Sequence, residues 1–396
     1  MIALILFFFL TTILLWRYGI NTYLLFIYSG LIISFGLFFY GDFGSETYLA
    51  QSLLCLCCLL LGFLFSKEAI SGVVRENTLN FSVSIKSMFN TVLIVLLITA
   101  YHYYVAGVPF LSSNVDVSRF DLRSSDFFGI PSRFAVYMPV ILFFVFAFYF
   151  RSGLFSAKQI IFIFLTVFLL FFLQGHKSSI LQIIFLGVIA YSATNIKKTL
   201  ENFFGWIFLA AIFFAYFAFE YLSSLSSWEY SDYFIARYTS IIHASGTVLQ
   251  NLEIKDFFLW NGSPIINDIM YPVLTVFSDE YQTVNEQLSR IIFYVPEEGF
   301  TVPVTPGFYA YHYFALGAPL LFIASFIYGA IVGILDKILI ESNKPLTKVI
   351  SGYLIYWLYI GYISGNIYYL LINFSFCIVI FVAIYSFLSV TFKKQG

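Results

Sequence analysis

Residues 308–335 read FYAYHYFALGAPLLFIASFIYGAIVGIL. No charged side chain interrupts the run. A helix needs about 20 mostly apolar residues to cross the hydrocarbon core of a bilayer, and this stretch is long enough. Similar runs recur along the chain, near 2–16, 19–40, 48–66, 88–109, 133–150, 159–175, 179–194, 203–222, 349–364 and 367–391. The expected fold is therefore an all-α polytopic membrane protein of about eleven transmembrane helices. None of the runs alternates with period two, which excludes a membrane β-barrel. Composition agrees: 61% of the 396 residues are hydrophobic and 10% are charged, against about 25% charged in an ordinary soluble domain.

The net charge of −1 says little, but its distribution along the chain is informative. Thirteen of the 20 Lys and Arg residues lie in alternate loops and in the C-terminal tail. The positive-inside bias then places those loops in the cytoplasm. The N-terminus is expected on the periplasmic side and the C-terminus in the cytoplasm. The expected organisation is transmembrane helices 1–8 over 1–222, a large external loop over 223–305, and helices 9–11 with a short tail over 306–396. A cleavable signal peptide is not expected, because the apolar run starts at Ile2 with no basic segment before it. The four cysteines, Cys55, Cys57, Cys58 and Cys377, fall inside apolar runs, so no disulfide framework or CxxC metal site is expected.

Within the large loop, SDYFIARYTSIIHASGTVLQNL (231–252) and DEYQTVNEQLSRIIFYV (279–295) read as amphipathic helices. In the second, Asp279 stands near the N-terminus and Glu286 four residues before Arg290. VPEEGFTVPVTPG (295–307) is rich in proline and reads as an irregular return to the membrane.

Seven cations fall on the outer side against the bias: Arg119, Arg123, Arg133, Lys177, Arg237, Lys255 and Arg290. Arg119 and Arg123 lie in SRFDLRSSDFFG (118–129), four apart and on one helical face. Their planar donor forks suit phosphate; a local ion-pair cluster with Asp116, Asp121 and Asp126 is the other reading. Lys177 lies in GHKSSIL (175–181) at the start of a helix. There the free N–H groups favour an anion, although the lysine stem can also simply snorkel. Arg237 and His243 share ARYTSIIHASG (236–246). His243 is a candidate general base or a structural histidine, and the spacing of six puts it on a different helix face from Arg237. No Walker A loop, HExxH, GxSxG or aspartate-rich metal pair is present. Nucleotide hydrolysis and metal chemistry are therefore not expected. The spans also hold few ionisable residues, which disfavours an ion-coupled transporter.

This layout resembles the oligosaccharide repeat-unit polymerases, the O-antigen polymerase family. GHKSSIL resembles the glycine–x–basic–small stretch at the start of one of their middle spans. TPGFYAYHYFALGAPLLFIASFIYGAIVGIL (305–335) resembles their late glycine-bearing span. The resemblance implies a membrane glycosyltransferase fold of the GT-C-like class in the bacterial inner membrane. It implies transfer of a growing chain from its undecaprenyl diphosphate carrier to the next lipid-linked repeat unit at the outer leaflet, giving O-antigen or capsular polysaccharide. No cofactor or metal and no nucleic acid is implied; a flippase and a chain-length regulator are the expected protein partners. Under this reading Arg119, Arg123, Lys177, Arg237 and Arg290 bind the diphosphate, and His243 or Asp121 takes the acceptor proton. Trp228, Tyr230 and Trp260 are the loop aromatics for sugar stacking. An O-antigen ligase and a repeat-unit flippase are the competing readings.

Overall fold

Helices account for the regular structure where the long apolar runs were expected. The computed structural model describes residues 22–39, 46–69, 85–111, 130–151, 156–173, 179–193, 241–250, 263–274, 283–293 and 305–393. Among the described residues, six helices precede the large loop: α1 (Thr22–Phe39), α2 (Glu46–Ala69), α3 (Ile85–Ala106), α4 (Ile130–Arg151), α5 (Ala157–Leu173) and α6 (Ser179–Ser192). The loop contributes α7 (241–250), α8 (Pro264–Leu274) and α9 (Val284–Phe293). Three more follow: α10 (Gly307–Glu341), α11 (Pro345–Ser364) and α12 (Ile367–Lys393). No strand occurs among the described residues. Among the described residues, five stretches are long and apolar enough to cross a membrane: Thr47–Ser66, Ile85–Leu111, Pro131–Tyr149, Gly307–Glu341 and Leu370–Val390. The chain is thus a multi-pass helical membrane protein. The expected spans 2–16 and 203–222 lie outside the described residues.

The chain divides into two units. The first comprises Met1–Gly72, Trp228–Lys337 and Ile355–Ile372. In it α2 and α10 cross through reciprocal glycines. A Cβ on Gly62 would run into the backbone of Phe326 and Ala330, and one on Gly329 into the backbone of Leu59. One helical turn on, a Cβ on Gly333 would meet Phe63 and the Ser66 hydroxyl. Lipid tails are as apolar as the helices, so membrane helices associate by close packing, and small residues permit the approach. A buried aromatic group, Phe26, Phe308, Tyr328, Tyr359 and Tyr362, fills the space beside this crossing.

The expected span 308–335 is not one uninterrupted helix. Gly317 has φ 73° and ψ 170°, a region essentially reserved for glycine. Pro319 follows, and a residue without an N–H is tolerated in the first turn of a renewed helix. Residues 307–316 therefore form a short separate segment ahead of the long one.

The second unit comprises Val73–Ser227, Ile338–Leu354 and Asn373–Gly396. Its centre is α4, whose residues from Phe134 to Tyr149 are nearly all buried and which packs against α3, α5 and α6. Gly352 of α11 lets the ring of Phe144 approach to 2.9 Å of where a Cβ would sit. The Lys348 ammonium donates to the carbonyl of Ala193 at 3.0 Å, satisfying a group just past the end of α6.

Candidate functional site

The best-defined polar structure lies in the first unit, where the loop helices meet the ends of α10 and α12. It starts with a local signal in the sequence. Thr283 and Glu286 form a capping box: the Thr283 N–H donates to Glu286 Oε2 at 2.8 Å, and the Glu286 N–H donates to Thr283 Oγ1 at 3.2 Å. The T-x-x-E pattern thus starts α9 at Val284, five residues later than the expected start near Asp279. Glu286 is engaged with its own helix start rather than being only a partner for Arg290.

The next free N–H of α9, that of Val284, finds a side chain from another helix. Asp268 of α8 accepts it through Oδ1 at 2.9 Å, and its Oδ2 accepts the hydroxyl of Tyr311 of α10 at 2.7 Å. One carboxyl group therefore joins α8, α9 and the 307–316 segment. Asp268 is fully buried. Loss of solvation is the main influence on it and raises its pKa from 3.8 to about 7. The Val284 N–H and the Tyr311 hydroxyl pull the other way, and the neighbouring Glu286 charge adds to the rise.

Apolar contacts enclose this junction. Ala244 and Val248 of α7, Val284 and Leu288 of α9, and Tyr311 and Phe314 of α10 form one buried cluster, with Ile265, Ala315 and Tyr368 against it. Beside it His312 is buried, with Nδ1 at 2.8 Å from the Phe308 carbonyl and Nε2 at 3.1 Å from the Tyr368 hydroxyl. The Asn285 side-chain amide donates to the Ser364 carbonyl at 3.4 Å, which ties α9 to the turn between α11 and α12. The α7 helix is held by Ser245, whose hydroxyl bonds the Pro306 carbonyl, and by the Tyr48 hydroxyl, which donates to the Leu249 carbonyl at 3.2 Å. The loop helices are thus built into the unit by both polar and apolar contacts.

Of the residues singled out in the sequence, His243 lies on α7 with its side chain exposed, while Ala244 and Val248 of the same helix face the cluster. Arg290 falls on α9. Its side chain, together with Arg119, Asp121, Arg123, Lys177, Trp228, Tyr230, Arg237 and Trp260, lies outside what the structure describes. Asp268, Tyr311, His312 and Tyr368 were not singled out. A lone carboxylate in SPIINDIMYP (263–272), followed by TVNE (283–286), was the signal available for the first. Among the described residues, no group of three or more His, Cys, Asp and Glu side chains is placed to hold a metal ion.

The fold and this junction define a multi-pass helical membrane protein with an ordered loop assembly fixed onto the ends of its helices. No family model, curated protein or solved structure matches the chain.

Proposed function

We propose that the chain is a metal-independent membrane glycosyltransferase that polymerises undecaprenyl-diphosphate-linked oligosaccharide repeat units at the outer leaflet of the bacterial inner membrane. The observation that carries the reading is the buried anchoring of α7, α8 and α9 onto α10 and the α11–α12 turn. A transporter needs little more than short connections on that face. An enzyme acting on a lipid-borne diphosphate needs a rigid assembly at the rim, because catalysis depends on groups held in place.

In the proposed reaction, the bond between the anomeric carbon of the growing chain and its diphosphate breaks. A hydroxyl of the next lipid-linked unit forms the new glycosidic bond. The hydroxyl proton passes to a base, His243 or Asp121, and undecaprenyl diphosphate departs with the electron pair. The charge that develops on the leaving group is stabilised by the rim cations Arg119, Arg123, Lys177, Arg237 and Arg290. The bond to the diphosphate supplies the driving force, so no nucleotide is consumed.

The test is the surface glycan of a deletion strain. Cells lacking the protein are expected to display lipopolysaccharide or capsule carrying one repeat unit in place of a ladder. Long chains accumulating on the undecaprenyl carrier would identify a ligase. Single units trapped on the cytoplasmic side would identify a flippase. Long polymer persisting in a strain with no second polymerase overturns the assignment.

A further inference from the structure

Two of the loop helices turn opposite kinds of face outward. On α7 the polar side chains point out: His243 and Gln250 are exposed and Thr247 is half-buried, while Ile241, Ile242, Val248 and Leu249 are buried. A helix on a watered surface is built this way. The α8 helix, PIINDIMYPVL, is built the other way round. Asn267 is 3% exposed and Asp268 is fully buried, whereas Ile266 and Ile269 are 47% and 39% exposed and Met270 is half-buried. Ile266, Ile269 and Met270 follow the i, i+3, i+4 spacing of one helical face. Asp268 is the only charged residue of α8, so no charged side chain stands on that outward face.

What covers the face follows from where α8 is fixed. Its Asp268 accepts the hydroxyl of Tyr311, which lies in the first segment of the apolar stretch Gly307–Glu341. Its Ile265 packs against the same buried cluster as Tyr368 of α12, and the apolar stretch Leu370–Val390 begins two residues after Tyr368. Two residues of helix rise about 3 Å. Both attachments therefore hold α8 at the edge of the hydrocarbon layer. Just beyond that edge α10 turns the stripe Leu320, Ile323, Ile327 and Ile331 outward, and Leu371 of α12 is exposed as well. These side chains belong to membrane-crossing stretches, where lipid chains cover them. The outward face of α8 has the same apolar character at the level where that lipid-facing surface ends.

We propose that Ile266, Ile269 and Met270 of α8 seat in the acyl chains of one leaflet, so that the loop assembly is anchored in the bilayer as well as to the helices. The eleven residues of α8 rise about 16 Å, half of a hydrocarbon core of about 30 Å. The helix therefore enters one leaflet without crossing the membrane. An isolated interfacial helix must leave its polar face in water. The α8 helix instead turns its polar face onto protein, where the Asp268 carboxyl meets the Val284 N–H and the Tyr311 hydroxyl, and leaves its apolar face for lipid. The α7 helix, with its polar side chains outward, stays on the water side of the same assembly. This placement is independent of the reaction the chain performs.

The experiment uses the unaltered full chain in phosphatidylcholine nanodiscs and two photoreactive probes. One is phosphatidylcholine carrying a diazirine at the end of an acyl chain, and the other is a charged, water-borne diazirine. Residue-level mass spectrometry reads where each attaches. Ile323 and Ile327 on the outward stripe of α10 are the references for lipid, and Lys158, exposed at the start of α5, is the reference for water. Ile266, Ile269 and Met270 are expected to label from the acyl chain as Ile323 and Ile327 do, and to stay unlabelled from water. Labelling from water at the level of Lys158, with or without labelling from lipid, overturns the proposal. Labelling by neither probe also overturns it, because a second copy or another protein surface then covers the face. Cysteines placed at Ile266 and Ile269 should accordingly resist an impermeant thiol reagent that reaches cysteines elsewhere in 223–305.

Discussion

Replacing Asp268 by Asn removes a titrating group while keeping an oxygen for the Val284 N–H and an amide that can face the Tyr311 hydroxyl. Burial raises the pKa of Asp268 from 3.8 to about 7, so the docked state binds a proton that the undocked state has released between those values. The resulting stabilisation is fully present below pH 3.8 and is lost as pH rises through about 7. At about 1.4 kcal/mol per pH unit, the whole effect is on the order of 4 kcal/mol. Between pH 5 and pH 8 docking weakens by about 3 kcal/mol, roughly 100-fold. The groups facing the carboxyl are Glu286, Tyr311 and the Val284 N–H, and the Glu286 charge acts in the same direction as burial. Hydrogen exchange at the amides of α9 in nanodiscs, corrected for intrinsic rates, measures the docking equilibrium. Wild-type protection should fall across this window, while Asp268→Asn should stay flat. A wild-type profile as flat as that of the variant refutes the assignment of a protonated Asp268 to the junction.

Thr283→Ala removes one half of the capping box and is expected to lower α9 protection by about 1 kcal/mol, read by the same exchange experiment. Gly329→Leu places a side chain against the backbone of Leu59 and should abolish accumulation of the protein in the membrane, measured by immunoblot of the membrane fraction, whereas Gly329→Ala should reduce it less. Single Ala replacements of Arg119, Arg123, Lys177 and Arg237 should leave membrane abundance near wild type yet shorten the polymer ladder; full activity in three of the four would make these cations structural. Single cysteines placed in 223–305, in a cysteine-free background, should react with an impermeant thiol reagent in intact spheroplasts, and labelling only after lysis would overturn the orientation.

The helices were legible because apolar run length is a one-dimensional property. Runs near 48–66, 88–109 and 133–150 coincide with α2, α3 and α4 within a few residues. The break at Gly317 was less visible, since a glycine within an apolar run looks the same whether it continues a helix or ends one. Thr283 was readable in principle, because the capping box is a local pattern. Asp268 was not: its role depends on Val284 and Tyr311, 16 and 43 residues away, and only the fold brings them together. The same holds for Arg133, whose orientation comes from Asn373, 240 residues on.

Why the junction uses a carboxyl at all follows from its surroundings. Replacing a buried polar group by a well-packed apolar one is often neutral or stabilising, and the cluster that encloses Val284 and Tyr311, the two donors to Asp268, is largely apolar. Apolar faces, however, discriminate poorly between one register and the next. The sequences of α8, α9 and the 307–316 segment carry Ile, Val, Leu, Phe and Tyr at several positions. Asp268 is satisfied only when the first N–H of α9 and the Tyr311 hydroxyl both reach it. A shift by one residue would leave a buried carboxyl without one of its donors, at a cost of about 1–3 kcal/mol. The carboxyl therefore favours the one register in which both donors reach it. Under the proposed polymerase reading, an active site assembled from loop cations would need that selectivity more than added stability, because displacing a charged group by about 1 Å weakens its hold on a developing charge.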